Sequence, residues 1–443
     1  MDGASLLMGA CEALMAGLLL LFATLRVVEL SDLYLASSHH LLLHLLASAL
    51  LMRLARPKRL LGAAVLYGVM RHAIDARPLT LPDELTLAGT NVVLAGASSG
   101  IGLALAAQLA RLEATVVLGC RDVAKCERVR PQSPHVRCLS LNLSDLSAVK
   151  TFAEAVGRHI DRVDYLVLNA GFLGKHGART AQGIELSFGV MHLSHFLLTR
   201  ELWHLIQRPH PAGLPARVVS HASAAFMAGE LKSLLVGDGM GDVHGEVVDG
   251  CLTWENSFRD WVVGGARSMA HLYFNTSLIA GFPTLCPIAG AYSRAKLAQV
   301  LFSQELQHRV DESALRSSGF VREVRSIALH PGTVRSAIVP LPDWLVRPTD
   351  VGAHGLMYCL LGDVPGGSYV DEMRRVHNLL NSTSGGMDVQ SGRPDGYFYS
   401  LPIFMYMRVT EGVPARYRAA LWDVSETLSA PYASSKRWPL THD

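Results

Sequence analysis

The sequence predicts an α/β fold, a doubly wound parallel sheet with helices on both faces, preceded by an N-terminal hydrophobic helical membrane anchor. Three observations predict it. Short β-rich runs alternate with helical stretches from Asn91 onward, a glycine turn joins the first run to the first helix, and two long apolar stretches come before them. The composition agrees: 443 residues carry 40 Lys+Arg against 38 Asp+Glu, 50% are hydrophobic and only 18% charged. That balance excludes a disordered chain, a collagen-like chain and a nucleic-acid binder working through a strong basic field. A mean hydropathy of +0.25 is high for a purely soluble enzyme and directs attention to the N-terminus.

From Gly3 to Leu25 the only charged side chain is Glu12 and there is no proline, so a helix here would cross a hydrocarbon layer of roughly 30 Å. Leu33 to Met52 also lacks Asp, Glu, Lys and Arg, although Ser37, Ser38, His39, His40 and His44 leave it able to span, lie at the interface or pack as a buried helix. A hairpin of two membrane helices within residues 1–59 is the expectation, with a buried oligomer or regulatory interface as the alternative. The loop from Arg26 to Asp32 is net acidic, whereas Arg53, Arg56, Lys58 and Arg59 follow the second stretch. The positive-inside tendency then puts the rest of the chain in the cytosol, on a membrane expected to be that of the endoplasmic reticulum. The start Met-Asp-Gly lacks the basic n-region of a secretory signal peptide. Residues 60–88 are expected to form an amphipathic helix, Leu60 to Ile74, and a Pro-containing linker.

Past the linker the strands and helices follow in turn. Asn91 to Gly96 is the first β-rich run, and Leu103 to Leu112 is helical. Thr115 to Gly119, His135 to Leu141, Asp164 to Leu168, Arg217 to Ser220 and Val324 to Leu329 are the further strands. Between the first strand and helix stands Gly96-Ala97-Ser98-Ser99-Gly100-Ile101-Gly102. Its glycines allow a tight turn, close approach of a diphosphate and packing of the helix start on the strand. An NAD site is expected to present a carboxylate to the ribose about 20 residues later. Cys120 and Arg121 stand there instead, and a guanidinium that can pair with a 2′-phosphate, aided by Ser98, favours NADP(H) over NAD(H).

Tyr292 and Lys296 are spaced i and i+4 in the helical stretch Ala291 to His308, so they project from one helix face. A phenol with its ordinary pKa of about 10 is a poor base, and a neighbouring ammonium brings it into a useful range. Ser223, just after the strand ending at Ser220, is placed to hydrogen-bond a substrate oxygen.

Together with Asn169-Ala170-Gly171, these residues make Leu87 to Leu428 resemble the short-chain dehydrogenase/reductase superfamily, and more closely its retinol-dehydrogenase-like branch. Further marks are Gly119-Cys120-Arg121-Asp122, His192-Leu193-Ser194-His195, Tyr292-Ser293-Arg294-Ala295-Lys296, His330-Pro331-Gly332-Thr333-Val334 and Leu421-Trp422-Asp423-Val424-Ser425. The resemblance implies a Rossmann-like domain over residues 89–430, followed by a tail, 431–443. It makes Tyr292 the acid/base, Lys296 the holder of the nicotinamide ribose and Ser223 the substrate-oxygen donor. It assigns cofactor contacts to Gly96, Ser98, Ser99, Gly100, Ile101, Gly102, Arg121, Asn142, Leu143, Asn169, Ala170, Gly171, Pro331, Gly332 and Thr333, beside Tyr292 and Lys296. It also implies pairing of two copies through the Tyr-Lys helix.

Departures from the family pattern are specific. Met191 stands where the family has an Asn that supports a water-mediated proton relay to the lysine, and a thioether cannot replace that amide. Asn142 replaces an Asp expected to accept from the adenine amine, and Ser336 replaces a Thr. His192 and His195 are expected to be structural. The stretch between Ser223 and Tyr292 is longer than the family's, and the insert of about 226–288 bears Trp254, Phe258, Trp261, Tyr273 and Phe274. It would form a lid over a large apolar substrate, a membrane-facing lip or a surface excursion. A second insert is expected at about 366–393.

The seven cysteines, odd in number and without CxxC spacing, are expected to be reduced, with no disulfide framework and no bound metal. The expected function is therefore NADP(H)-dependent interconversion of an alcohol and a carbonyl on a lipophilic substrate such as a retinoid, steroid or other lipid, at a membrane and without nucleic acid. A cofactor-binding scaffold with weak or no turnover, suggested by Met191, is the alternative.

Overall fold

The computed structural model describes residues 79–174, 177–223, 225–226, 286–317, 321–336, 346–370, 374, 376–378, 415–434, 438 and 440. Strand β1 (Asn91–Ala95) leads through the glycine turn into α1 (Gly100–Arg111). Then follow β2 (Thr115–Cys120), α2 (Val123–Val129), β3 (Val136–Ser140), α3 (Leu146–Gly157) and β4 (Tyr165–Leu168). A turn of helix at Leu186–Phe188 and a π-helical stretch, Gly189–Leu193, run into α4 (Ser194–Ile206). The second half comprises β5 (Ala216–His221), α5 (Cys286–Arg316), β6 (Val324–Leu329), α6 (Thr349–Leu361), β7 (Ser368–Val370), β8 (Val376–Asn378) and α7 (Ala415–Ser429).

The strands form one sheet in the order β3-β2-β1-β4-β5-β6-β7-β8. All neighbours are parallel except β8, which returns antiparallel along β7. Strand order therefore reverses between β1 and β4, the crossover point at which ligands bind beyond the carboxyl ends of an open parallel sheet. The six predicted strands all form. Ser368–Val370 adds a further parallel strand within the stretch read as the second insert, where a three-residue run is too short to show periodicity.

Both faces of the sheet are buried, which is why its central strands are continuously apolar. In β1, Val93 and Ala95 face the core shared with Phe152, Phe196 and Leu301, while Val92 and Leu94 face the one shared with Leu105, Leu109 and Leu356. Alternate residues of β4 divide in the same way, Leu166 and Leu168 from Tyr165 and Val167. At the amino ends of the strands, opposite the crossover mouth, buried Asp164 accepts hydrogen bonds from Arg162 Nε at 2.7 Å, Arg322 Nη2 at 2.7 Å and the Asn91 N–H at 2.8 Å. Arg322 also donates to the carbonyls of Val163, Ile206 and Arg208, so one ion cluster ties the β4, α4 and β6 termini.

Two expectations change here. Cys126 and Cys138 are not reduced but form a disulfide, their Cα atoms 6.1 Å apart. They lie 12 residues apart in sequence, and only the packing of α2, whose buried residue is Cys126, against β3 brings them together. Cys120 and Cys359 are buried free thiols. The helix carrying Tyr292 is also longer than predicted and is flanked by α7, with Trp422 stacked at a 19° interplanar angle on Phe302. Between 291 and 310 all residues except Arg294 and His308 are buried. The two apolar stretches near the N-terminus and most of the long insert lie outside the described residues. Among the described residues no helix is long and apolar enough to cross a membrane.

Burial alone would raise the Asp164 carboxyl, but the hydrogen bonds from Arg162, Asn91 and Arg322 outweigh it and hold it below its ordinary value. A depressed carboxyl contributes stability above the carboxylate range that is lost as pH falls through it. Asp164→Ala is expected to cost about 3–5 kcal/mol by leaving Arg322 buried and unpaired. Chemical denaturation at neutral pH measures that loss, and the gap between parent and variant should narrow below about pH 4.

Candidate active site

The turn after β1 needs its glycines for different reasons. Gly96 has φ +83° and Gly100 has φ +60°, left-handed values that favour glycine. At Gly102 the constraint is space: an added Cβ would collide with the Gly96 carbonyl and lie 2.5 Å from the Asn169 amide nitrogen. Ser99 caps α1 only by its extended backbone, with no side-chain hydrogen bond, and no acid stands in the first turn. By contrast, α2 and α3 satisfy their first N–H groups with Asp122 and Asp145. The α1 terminus therefore presents unsatisfied N–H donors and no competing carboxylate, which is the electrostatic requirement for a phosphate.

Asn169, immediately after β4, ties three strand ends together. Its Nδ2 donates to the Gly96 carbonyl at 2.6 Å, and its Oδ1 stands 2.7 Å from His221 Nδ1. Because the amide oxygen can only accept, His221 carries its proton on Nδ1. Burial first, then the positive Lys296, hold His221 well below its usual value and therefore neutral. The bond thus keeps one polarity through the physiological range.

Lys296 reaches toward the same place. Its Nζ donates to the His221 carbonyl at 2.7 Å and to Gln299 Oε1 at 2.9 Å. It also lies 3.3 Å from where a Cβ on Gly171 would be. Tyr292, one turn earlier on α5, has its ring centroid 5.5 Å from that Nζ and is hydrogen-bonded to Ser223. Ser223, Tyr292, Lys296, Asn169 and Gly171 thus converge at the carboxyl ends of β4 and β5. The phenol is not, however, tuned downward in the protein alone. Burial pushes Tyr292 up to about 12 despite the Ser223 bond, and burial brings Lys296 down to about 7. Both shifts have one cause, removal of the charged form from water.

The remaining predicted positions follow the carboxyl ends of β1, β2, β3 and β6. Gly332 has φ +85° in the loop after β6, which is strapped by Arg347: its N–H donates to the Thr333 carbonyl and its Nη1 to that of Pro331. Ile101 faces the same region, near the point where a Cβ on Gly352 would stand. Arg121 is exposed beyond β2, in the sequence position expected for a 2′-phosphate partner. Asn142 Oδ1 is engaged by the Ser144 N–H at 3.2 Å and hydroxyl at 2.7 Å, so an adenine amine would have to share it. The carbonyl of Leu143 accepts from Ser194 Oγ. Met191 is fully buried in the π-helical stretch, its sulfur beside Gly171. His192, at 2.8 Å from Ser425 Oγ, joins that stretch to α7.

Residues 90–230 match the family model for short chain dehydrogenases. Retinol dehydrogenase 12 of Homo sapiens is 30% identical over 296 residues, which cover 63% of this chain and 76% of that protein. The chain belongs to the short-chain dehydrogenase/reductase family. Within it, the chain is also 31% identical over 263 residues to retinol dehydrogenase 13 of Mus musculus, covering 58% of this chain and 62% of that protein. It thus spans less than two thirds of that relative's length. A crystal structure of an uncharacterised protein from Mycobacterium paratuberculosis is similar with a TM-score of 0.49 and 27% identity, over 79% of this chain and 96% of that one.

Two residues of this family member escape motif reading. Gln299 lies three positions after Lys296, on the same helix face, a spacing that was available in the sequence. His221 is the partner of Asn169 only because β4 and β5 are neighbours, which no local pattern reveals. Gly102→Ala is expected to abolish measurable binding of NADPH, followed by its fluorescence, because backbone rather than a flexible side chain must move. Its thermal unfolding should shift far less than its binding.

Proposed function

We propose that this chain is an NADP(H)-dependent oxidoreductase that interconverts an alcohol and a carbonyl on a lipophilic substrate. The observation that carries the reading is the convergence of Ser223, Tyr292 and Lys296, through Asn169 and Gly171, on the glycine turn before α1. The Gly96 and Gly102 backbone and the uncapped α1 terminus fit a dinucleotide diphosphate, which would be held there and at Ser98, Ser99 and Ile101. Asn169, Ala170, Gly171 and Pro331 to Thr333 would border its nicotinamide half, and Asn142 and Leu143 its adenine half. When bound, the nicotinamide supplies or takes up the hydride and, in its oxidised form, adds a positive charge.

The chain's own residues do the rest. Ser223 donates to the substrate oxygen and fixes its distance from Tyr292. The phenol gives its proton to that oxygen in reduction and takes it back in oxidation. Burial keeps the phenol protonated, the form that acts in reduction, while oxidation needs added positive charge to stabilise the phenolate. Lys296, held by His221 and Gln299, keeps one N–H for the nicotinamide ribose.

The lipophilic substrate is supported by the names of the relatives, retinol dehydrogenases, and by the apolar N-terminal stretches. Those stretches also support attachment to a membrane of the endoplasmic reticulum with residues 89–430 facing the cytosol. Met191 favours a second reading, a cofactor-binding protein with little turnover, because it removes the amide that the family pattern places beside the lysine.

Oxidation of NADPH and NADH by membrane-reconstituted protein over retinals, ketosteroids and long-chain carbonyls separates the two. We expect turnover that Tyr292→Phe lowers by about 10²–10⁴-fold. NADPH binding without turnover across the panel would instead support the second reading. Arg121→Ala should raise the KM for NADPH about tenfold or more and leave that for NADH unchanged; equal effects on both would remove Arg121 as the selector.

A further inference from the structure

Lys296 is an ammonium at 2% exposure, and the described groups around it carry no negative charge. Its own helix contributes Tyr292 and Gln299, the end of β5 the His221 carbonyl, and the π-helical stretch and α4 contribute Met191 and His195. Gly171 closes the β4 side, and His330 lies beyond His221. Among the described residues no Asp or Glu acts on it, and burial accounts for its fall to about 7. A charge in such a place survives only by hydrogen bonds to acceptors. It has two, the His221 carbonyl and Gln299 Oε1. Met191, whose sulfur is 3.6 Å from the point above Gly171 that Nζ approaches to 3.3 Å, offers only a weak thioether acceptor.

An amide can present its oxygen to an ammonium only if its NH₂ finds an acceptor elsewhere. Gln299 Nε2 stands 3.3 Å from His195 Nδ1. Burial holds His195 down to about 3, so the ring beside that amide is neutral across physiological pH.

We infer that Gln299 is a positioning residue for Lys296: its oxygen supplies the polar support that Met191 does not. The consequence for turnover rests on the dehydrogenase reading above, whereas the consequence for the lysine's charge does not.

The test follows the Lys296 Cε resonance with pH in the full-length chain labelled with [ε-13C]lysine, assigned by its absence in Lys296→Arg. Gln299→Leu removes an acceptor and should lower the midpoint by about one pH unit, whereas the isosteric Gln299→Glu adds an anion and should raise it by at least as much. Met191→Asn in the Gln299→Leu background should recover part of the loss. A fall in rate as pH rises, on the alkaline limb of kcat, should move with the midpoint, since the ammonium is the working form. Unchanged midpoints in both the Leu and Glu variants would overturn the inference, even with Tyr292-dependent turnover in the parent. Shifted midpoints in a parent without turnover would uphold it and remove the dehydrogenase reading instead.

Discussion

The side chain of Asn169 is the constraint on which the site depends. One carboxamide holds the carbonyl of the glycine turn after β1 and the ring of His221 at the end of β5, so three strand ends are kept in register where the order of the sheet reverses. Everything polar in the site hangs from that tie. The His221 carbonyl receives Lys296, Gly102 fits beneath the Asn169 amide only because it lacks a side chain, and Gly171 leaves room for the lysine nitrogen. Such a network has little slack, because a buried donor that loses its acceptor finds no water to replace it.

Electrostatics at the centre are set by burial more than by charge pairing. Ordinary ion pairs occupy the opposite end of the sheet, where Asp164 joins Arg162 and Arg322, and the interface between α5 and α7, where Glu305 joins Arg309. At the Tyr292 end the groups are uncharged amides, imidazoles, hydroxyls and carbonyls around one ammonium. With no anion beside it among the described residues, that ammonium sits near the point of losing its proton, and the phenol beside it is held in its protonated form. An arriving charged ligand would find a site whose proton positions respond strongly to it, since little water remains to screen the change.

Most of the site was legible from residue types and order. The glycine turn, Asn169-Ala170-Gly171, Ser223 and the Tyr292/Lys296 pair lie at strand ends or on a helix face, and the alternation of strands and helices places such ends together. Less legible were features that depend on which strands become neighbours. His221 meets Asn169 across the β4–β5 pair, and Cys126 meets Cys138 across the packing of α2 on β3, contrary to the reading of reduced, scattered cysteines. The packing of α7 on α5 likewise arises from residues far apart in the chain.

By itself the sequence determined the doubly wound architecture, the position of the glycine turn and the candidate side chains that meet beside it. Local periodicity, glycine freedom and the i, i+4 spacing of Tyr292 and Lys296 are properties of short segments, and short segments carry them into any compact fold. The tertiary structure alone decided the state of those side chains. Whether a phenol is acid or base, which nitrogen of His221 bears the proton and what replaces an amide at Met191 depend on burial and on partners brought from other elements. Desolvation and hydrogen-bond direction are set by the packed surroundings and not by the segment.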